Sequence, residues 1–328
     1  MHGLALRIPR PGRVELHPFT DDAPLAADWI EGQAVASAIS PGTELAWTYR
    51  QQDPAKAPGG TGYAMVFRVE QAGAASGFAV GDLAFAPVNH ASRVRCAAAS
   101  AYKVPAGVTP ADAALARLAG VSWSTLTTTA ARPPARVAVT GLGIVGNLAV
   151  QIFAASGYQV LGCDPVEGRR QLLAARGFAT CARLPLEDPE WRDRTSLVLE
   201  CSGHEAAVLD ACRLVGKGGE VVLVGVPWTR RSDLPAFDVL HAVFHRYVRL
   251  RSGWEWEVPA NPSDFRQGSI RANITSAMAW FGDGRLASAG LTRVADPREC
   301  DEVYRELQEQ RGGHLTAIFD WTQLGEKP

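Results

Sequence analysis

Three glycines, Gly141, Gly143 and Gly146, stand at Gly-x-Gly-x-x-Gly spacing, and a carboxylate, Asp164, follows about 20 residues on. That combination suits a dinucleotide. The glycines allow a tight turn, close approach of a pyrophosphate to backbone N–H groups, and close packing of a helix on a strand. Ile144 and Val145, inside the motif, complete the cofactor-binding set, and a helix beginning near Ile144 points its positive end at the pyrophosphate. Asp164 is placed to accept hydrogen bonds from an adenosine ribose diol.

The motif needs particular elements around it. Val137 to Thr140 is a short apolar, β-branched run ending in the glycine turn; a helical pattern and a second apolar run closing on Asp164 follow. Strand, loop, helix, strand is the expected order. Beyond it the alternation continues, with helices at residues 167–176 and 205–215, strands at 196–200 and 220–224, a helix near 240–245 and a last strand at 248–252. Such alternation implies a doubly wound parallel sheet.

Residues 1 to about 105 read differently, as short strands cut by Pro-Gly and Gly-Gly turns, for example 65–70, 82–86 and 92–96. This spacing suggests an irregular β-barrel. An alanine-rich helix starts at Pro110 behind a Thr109 cap and, with VSWSTLTTTA after it, leads from one region to the other. The segment 269–281 places Ile270, Ile274, Ala277, Met278 and Phe281 on one helical face, and a helix at 300–310 and a strand at 315–320 close the chain.

Composition narrows the classes of function. A chain of 328 residues makes about two domains, and 47% hydrophobic residues can bury a large core. The net charge of −1, with signs interspersed, offers no basic patch for nucleic acid. No apolar run reaches the ~20 residues a membrane helix needs, and the amino terminus reads as a strand and turn rather than a signal peptide. The six cysteines are scattered with no Cys-x-x-Cys pair, which favours free thiols in a reducing cytoplasm.

ISPGTE, GYAMVFRVEQAG, GDLAFAPVNHA, GLGIVG, Asp164, LECSG and GGEVVLVG occur in an order that resembles the medium-chain dehydrogenase/reductase superfamily over nearly the whole chain. The resemblance implies an α/β protein: a chaperonin-10-like barrel from residues 1–119 and 263–328, a Rossmann domain over 120–262, a substrate cleft at their junction, and a homodimer joined through Rossmann edges. It also places the backbone of Gly225, Val226 and Gly253 near a nicotinamide amide, and Arg169 on the ribose side. Asp164 favours NAD, since a carboxylate repels a 2′-phosphate, while Arg169 and Arg170 leave NADP open.

The chain departs from the zinc-dependent branch. Ile39-Ser40-Pro41-Gly42-Thr43-Glu44 stands where that branch has a cysteine before Gly-Thr-Asp, Gly62-Tyr63-Ala64 where it has Gly-His-Glu, and Leu115-Ala116-Arg117-Leu118 at the third ligand. A catalytic zinc needs about three protein ligands, so no bound metal is expected. The ISPGTE and Gly-Tyr pair is similar to the bacteriochlorophyllide hydroxyethyl dehydrogenase group; only NAD-linked alcohol and ketone chemistry is carried over from it.

Without zinc, another group must polarise the substrate oxygen and exchange its proton. His90 matches a family position near the cleft, and an imidazole of pKa ~6.5 suits the task near neutrality. Tyr63 stands at a lost ligand position as a hydrogen-bond donor, and Glu44 and Thr43 match the acidic and hydroxyl positions beside the missing cysteine, where Glu44 could orient Tyr63 or His90. Each has a plainer alternative: a turn cap for His90, core filling for Tyr63, a structural ion pair for Glu44. His204 reads as a helix cap, His241 and His245 as a helix face without a third ligand, Trp254 and Trp256 as walls of a substrate pocket or a subunit contact, and Trp47 and Tyr49 as shaping the substrate side.

The expected activity is zinc-independent interconversion of a secondary alcohol, polyol-, cyclitol- or sugar-like, and its ketone, on a small-molecule substrate in the cytoplasm. An NAD(P)H-dependent reductase of enone or quinone C=C bonds is the alternative chemistry, and a non-catalytic nucleotide sensor the alternative class.

Overall fold

The computed structural model describes residues 1–50 and 59–325. The chain begins with strands β1 (His2–Arg10), β2 (Arg13–Thr20) and β3 (Trp29–Ala38), a short helix α1 (Pro41–Leu45) that runs on as a wider turn to Arg50, and strands β4 (Met65–Ala72), β5 (Leu83–Ala86), β6 (Arg93–Ala97) and β7 (Tyr102–Lys103). Helix α2 (Pro110–Thr128) leads to β8 (Arg136–Thr140), α3 (Ile144–Ala155), β9 (Gln159–Cys163), α4 (Glu167–Ala174), β10 (Thr180–Cys181) and β11 (Thr195–Glu200). Then follow α5 (Glu205–Leu214), β12 (Val215–Leu223), α6 (Ala236–Arg246), β13 (Arg249–Ser252), α7 (Ile270–Gly282), β14 (Thr292–Ala295), α8 (Cys300–Glu309) and β15 (Thr316–Asp320).

Two compact units result, Met1–Arg117 with Met278–Pro328, and Leu118–Ala277. The second division falls further along the chain than the expected 262/263. The first half of α7 is the reason: Asn273 Nδ2 donates to Ser124 Oγ on α2 at 3.2 Å, so these residues pack with the second unit. Helix α2 also runs on through VSWSTLTT, where the expected helix had given way to a connection. Ser124 and Thr128 hydroxyls donate to the carbonyls of Gly120 and Ser124, four residues back, so these polar side chains are satisfied within the helix itself. Its start is capped as expected, with Thr109 Oγ1 accepting from Asp112 N at 3.1 Å.

In the first unit one sheet runs in the order β14-β15-β3-β4-β5-β7, with β6 also paired to β3, and β1 and β2 form a separate hairpin. β3 serves two neighbours along one edge: its first half pairs β6 and its last residues pair β15, with register shifts against β4 that bend the strand between them. The curved sheet encloses Leu6, Ile30, Met65, Phe67, Tyr304, Phe319 and Trp321. Carboxy-terminal residues thereby complete the amino-terminal core.

The second unit holds six strands in the order β10-β9-β8-β11-β12-β13, all parallel. Counted within the unit, that is 3-2-1-4-5-6, the doubly wound Rossmann order, and the strand order reverses between β8 and β11. Ligands of such sheets lie beyond the strand ends at that reversal. The glycine motif follows β8, so it sits there.

Candidate active site

The loop after β8 shows different demands on its three glycines. Gly141 has φ +85°, and a Cβ on it would lie 2.6 Å from Ser202 N in the loop after β11. A Cβ on Gly146 would lie 1.9 Å from the Gly141 carbonyl oxygen. Both positions are glycine because backbone approaches backbone. A Cβ on Gly143, by contrast, would meet nothing within 4 Å. Gly143 is the N-cap of α3 and no side chain caps it, so the positive end of the helix opens onto free space. A pyrophosphate fits that cradle, and a side chain at Gly143 would fill it. Ile144 is buried and the Val145 carbonyl accepts from Ser122 Oγ at 3.0 Å, which ties the first turn of α3 to α2.

Asp164, just past β9, is 2% exposed. Its Oδ2 accepts the Leu142 N–H at 2.7 Å, and its Oδ1 accepts the Val166 N–H at 2.8 Å. The carboxylate therefore braces the glycine loop, and Oδ1, with a single hydrogen bond, keeps further acceptor capacity for a ribose hydroxyl. Arg169 Nη1 lies 3.3 Å from the same Oδ2, and Arg170 donates to the Asp164 and Pro165 carbonyls. Of the residues expected beside the nicotinamide, Gly225 and Gly253 have their N–H groups bonded to the Glu200 and Leu223 carbonyls, and Val226 is exposed. Glu200, the acid of LECSG, accepts from the Ser202 and Gly203 amides and holds the loop beside Gly141.

In the first unit, Glu44 and His90 are both fully buried. His90 Nε2 lies 3.1 Å from Glu44 Oε2, and its Nδ1 lies 2.7 Å from Ser37 Oγ. Glu44 also accepts from Thr61 Oγ1 at 2.7 Å, from the Tyr304 hydroxyl, and, through Oε1, from the Ser40 N–H at 2.7 Å. Burial pushes the Glu44 carboxyl up, but His90, Tyr304 and the Ser40 amide outweigh it and hold the group below the usual carboxylate range. Gly62 has φ +97°, and a Cβ there would stand 2.4 Å from the His90 ring. With Phe319 edge-on at 5.5 Å the imidazole is enclosed. The expected proton exchange between His90 and a substrate needs an accessible ring nitrogen; here both nitrogens are spent on Ser37 and Glu44 inside the core.

Tyr63 is placed otherwise. Its hydroxyl donates to Ser40 Oγ at 2.5 Å and shares a hydrogen bond with the Thr43 side chain. Burial raises its pKa, against the pull of Ser40, Thr43 and the Arg117 guanidinium, so the phenol stays protonated at neutral pH. Arg117 lies 5.0 Å over the ring and Trp47 meets it edge-on at 6.2 Å. Glu44 does not bond Tyr63 directly; it fixes the Ser40 backbone on which the phenol rests. Ser40, Thr61, Arg117 and Tyr304 complete the contacts around Glu44 and Tyr63. Ser40 was signalled by its place in ISPGTE, whereas Tyr304 is 260 residues from Glu44 and gave no local sign.

Among the described residues, no group of three or more His, Cys, Asp or Glu could hold a metal ion, and no helix is long and apolar enough to cross a membrane. His204 caps α5, its Nδ1 accepting from Ala206 N at 3.2 Å. The His241 and His245 rings lie 4.3 Å apart on α6, tilted by 47°, and Trp254 and Trp256 are exposed.

A family profile described as zinc-binding dehydrogenase matches residues 145–261. The chain is 30% identical over 145 residues to an L-threonine 3-dehydrogenase of Bacillus licheniformis, an alignment covering 42% of this chain and 42% of that protein. It is 30% identical over 228 residues to an alcohol dehydrogenase of Geobacillus stearothermophilus, covering 65% of this chain and 60% of the relative. The chain thus spans less than two thirds of the length of these curated relatives. In fold it is similar to acetophenone reductase from Geotrichum candidum NBRC 4597, solved in complex with NAD, with a TM-score of 0.76 at 15% identity over 97% of each chain. The profile and the curated relatives support a place among the medium-chain dehydrogenases/reductases, and the solved structure shows the likeness of fold.

Proposed function

We propose that the chain is an NAD-linked oxidoreductase that interconverts a secondary alcohol, polyol-, cyclitol- or sugar-like, and its ketone without a zinc ion. The observation that carries the reading is the open, uncapped start of α3 at Gly143, between two glycines whose own space is filled. Gly143, Ile144 and Val145 would hold the pyrophosphate, Asp164 the adenosine ribose, and the backbone around Gly225, Val226 and Gly253 the nicotinamide end. The similarly folded acetophenone reductase was solved in complex with NAD, which supports NAD as the cofactor. The Asp164–Arg169 pair keeps NADP as the second choice. When bound, the nicotinamide supplies a two-electron hydride acceptor or donor.

Tyr63 would meet the substrate oxygen. A phenol kept protonated by burial is a donor at neutral pH; its single hydrogen, given to Ser40 Oγ in this structure, would have to turn to the substrate to polarise a carbonyl and return a proton to the alkoxide. Ser40 takes the Tyr63 hydrogen and has its own hydroxyl hydrogen to offer, and Thr43 holds the phenol from the side. Glu44 and His90 would act through Ser40 as positioning residues. The zinc-free reading rests on the donor set: hydroxyl, phenol and guanidinium groups stand at the three positions where thiolate or imidazole ligands are needed. As a small-molecule enzyme it would act in the cytoplasm as a homodimer, β13 being a sheet edge that a second copy can extend.

The burial of His90 favours one alternative, reduction of an enone or quinone C=C bond, in which water can supply the proton. Turnover of Tyr63→Phe separates the two. Loss of ketone reduction with cofactor binding intact supports Tyr63 as the donor; unchanged ketone reduction overturns it, and activity confined to enones favours the alternative.

A further inference from the structure

Cys163 is the last residue of β9 and Cys181 the last of β10, and they are paired directly across two parallel strands. Their sulfurs lie 3.2 Å apart. Neighbouring strands run about 4.7–4.9 Å apart, inside the Cα separation that a disulfide spans. Both thiols are free. Cys163 is 1% exposed, while Cys181 is only half-buried on the outermost strand of the sheet. Among the described residues the other four cysteines have no such neighbour, and burial pushes the thiols of Cys96, Cys212 and Cys300 up to about 11.

We infer that Cys163 and Cys181 form a redox-modifiable site, closing to a reversible disulfide when a hydroperoxide reaches Cys181. The Cys181 thiolate attacks the peroxide: an S–O bond forms, the O–O bond breaks, and an alcohol or water leaves. Cys163, already in contact, then attacks the sulfenic sulfur. The S–S bond forms as the S–O bond breaks, water departs with the Cys163 proton, and two thiols have been oxidised for one peroxide reduced. The hydrogen bond from Cys163 lowers the Cys181 pKa, with Arg170 adding to it, and raises that of Cys163, as burial also does. The exposed partner is therefore the attacking one, and the buried partner resolves. Ionisation of Cys181 gives up its own hydrogen bond to the Arg183 carbonyl, at 2.9 Å.

The site stands on this geometry alone, independent of the cofactor assignment. Its place gives it reach, since the Cys163 carbonyl accepts the Gly141 N–H at 2.9 Å and the Cys181 carbonyl accepts the Asp164 N–H at 3.1 Å. The test treats the full chain with one equivalent of hydrogen peroxide and counts thiols after denaturation. Two of the six are expected to be lost, recovered by dithiothreitol, with a peptide map joining Cys163 to Cys181; Cys181→Ser should keep the remaining five. Six reactive thiols after treatment, a different pair joined, or Cys181 carried to sulfinic acid with Cys163 still free would overturn the proposal.

Discussion

Glu44 Oε2 lies 3.1 Å from His90 Nε2 with neither side chain exposed to solvent. That pair, closed by Thr61 and Tyr304, joins α1, the segment before β4, the loop before β6 and α8 into one polar centre inside an apolar core. It is a structural device first, and under the proposed function its value for chemistry would lie in holding Ser40.

Glu44→Gln is therefore expected to destabilise the protein by about 3–5 kcal/mol, the range for breaking a buried pair on one side. Urea unfolding monitored by tryptophan fluorescence reads this directly. A loss under about 1 kcal/mol, the scale of an ordinary hydrogen bond, would show that the pair is not what holds the centre together.

The same carboxyl fixes the direction of a pH effect. Its folded pKa lies below the ordinary value, so its contribution is present above about pH 4.3 and is lost as pH falls through the lower folded value. Tyr304 is raised, by burial first and then by the Glu44 charge, so its contribution holds below about pH 10 and is lost above it. Midpoints measured from pH 3 to 11 should fall at both ends, and Glu44→Gln should flatten the acid limb.

Gly143→Ala and Gly146→Ala should part company. The first adds a methyl into open space and should leave the melting temperature in place while weakening NAD binding on the order of tenfold, about 1.4 kcal/mol. The second drives a Cβ into the Gly141 carbonyl and should lower the melting temperature. Calorimetric titration and thermal unfolding of both variants decide it; undiminished NAD binding by Gly143→Ala would remove the cradle from the account.

Tyr63→Phe should lower ketone reduction by about 10²-fold or more, the usual size of a lost general acid, with melting temperature and NAD affinity little changed. Ser40→Ala should fall between the two. Steady-state rates with a panel of ketones and enones provide the measurement.

Asp164→Asn should be costly twice over. The new amide turns a donor toward the Leu142 or Val166 N–H, with a loss of about 1–3 kcal/mol, and the repulsion of a 2′-phosphate disappears. Comparing NAD with NADP binding in the variant should show a preference moved toward NADP; an unchanged ratio would place discrimination in Arg169 and Arg170 instead.

What the sequence determined by itself is local. Gly-x-Gly-x-x-Gly between two β-branched runs, Thr109 ahead of Pro110, and alternating strands and helices each follow from period, cap and turn chemistry within a few residues, and those elements lie where expected to within a residue or two at most ends. Even the conclusion that the second glycine differs from the first and third needed neighbours, because Ser202 and the Gly141 carbonyl are what crowd the other two. Only the tertiary structure decided that His90 is enclosed, that Asp164 braces the Leu142 amide, and that Tyr304 closes the Glu44 centre. Burial and hydrogen-bond partners are made by segments dozens to hundreds of residues apart, and no spacing along the chain records them. The pairing of Cys163 with Cys181 belongs to the same class: 18 residues separate them in sequence, and it is the parallel register of β9 and β10 that brings sulfur to sulfur.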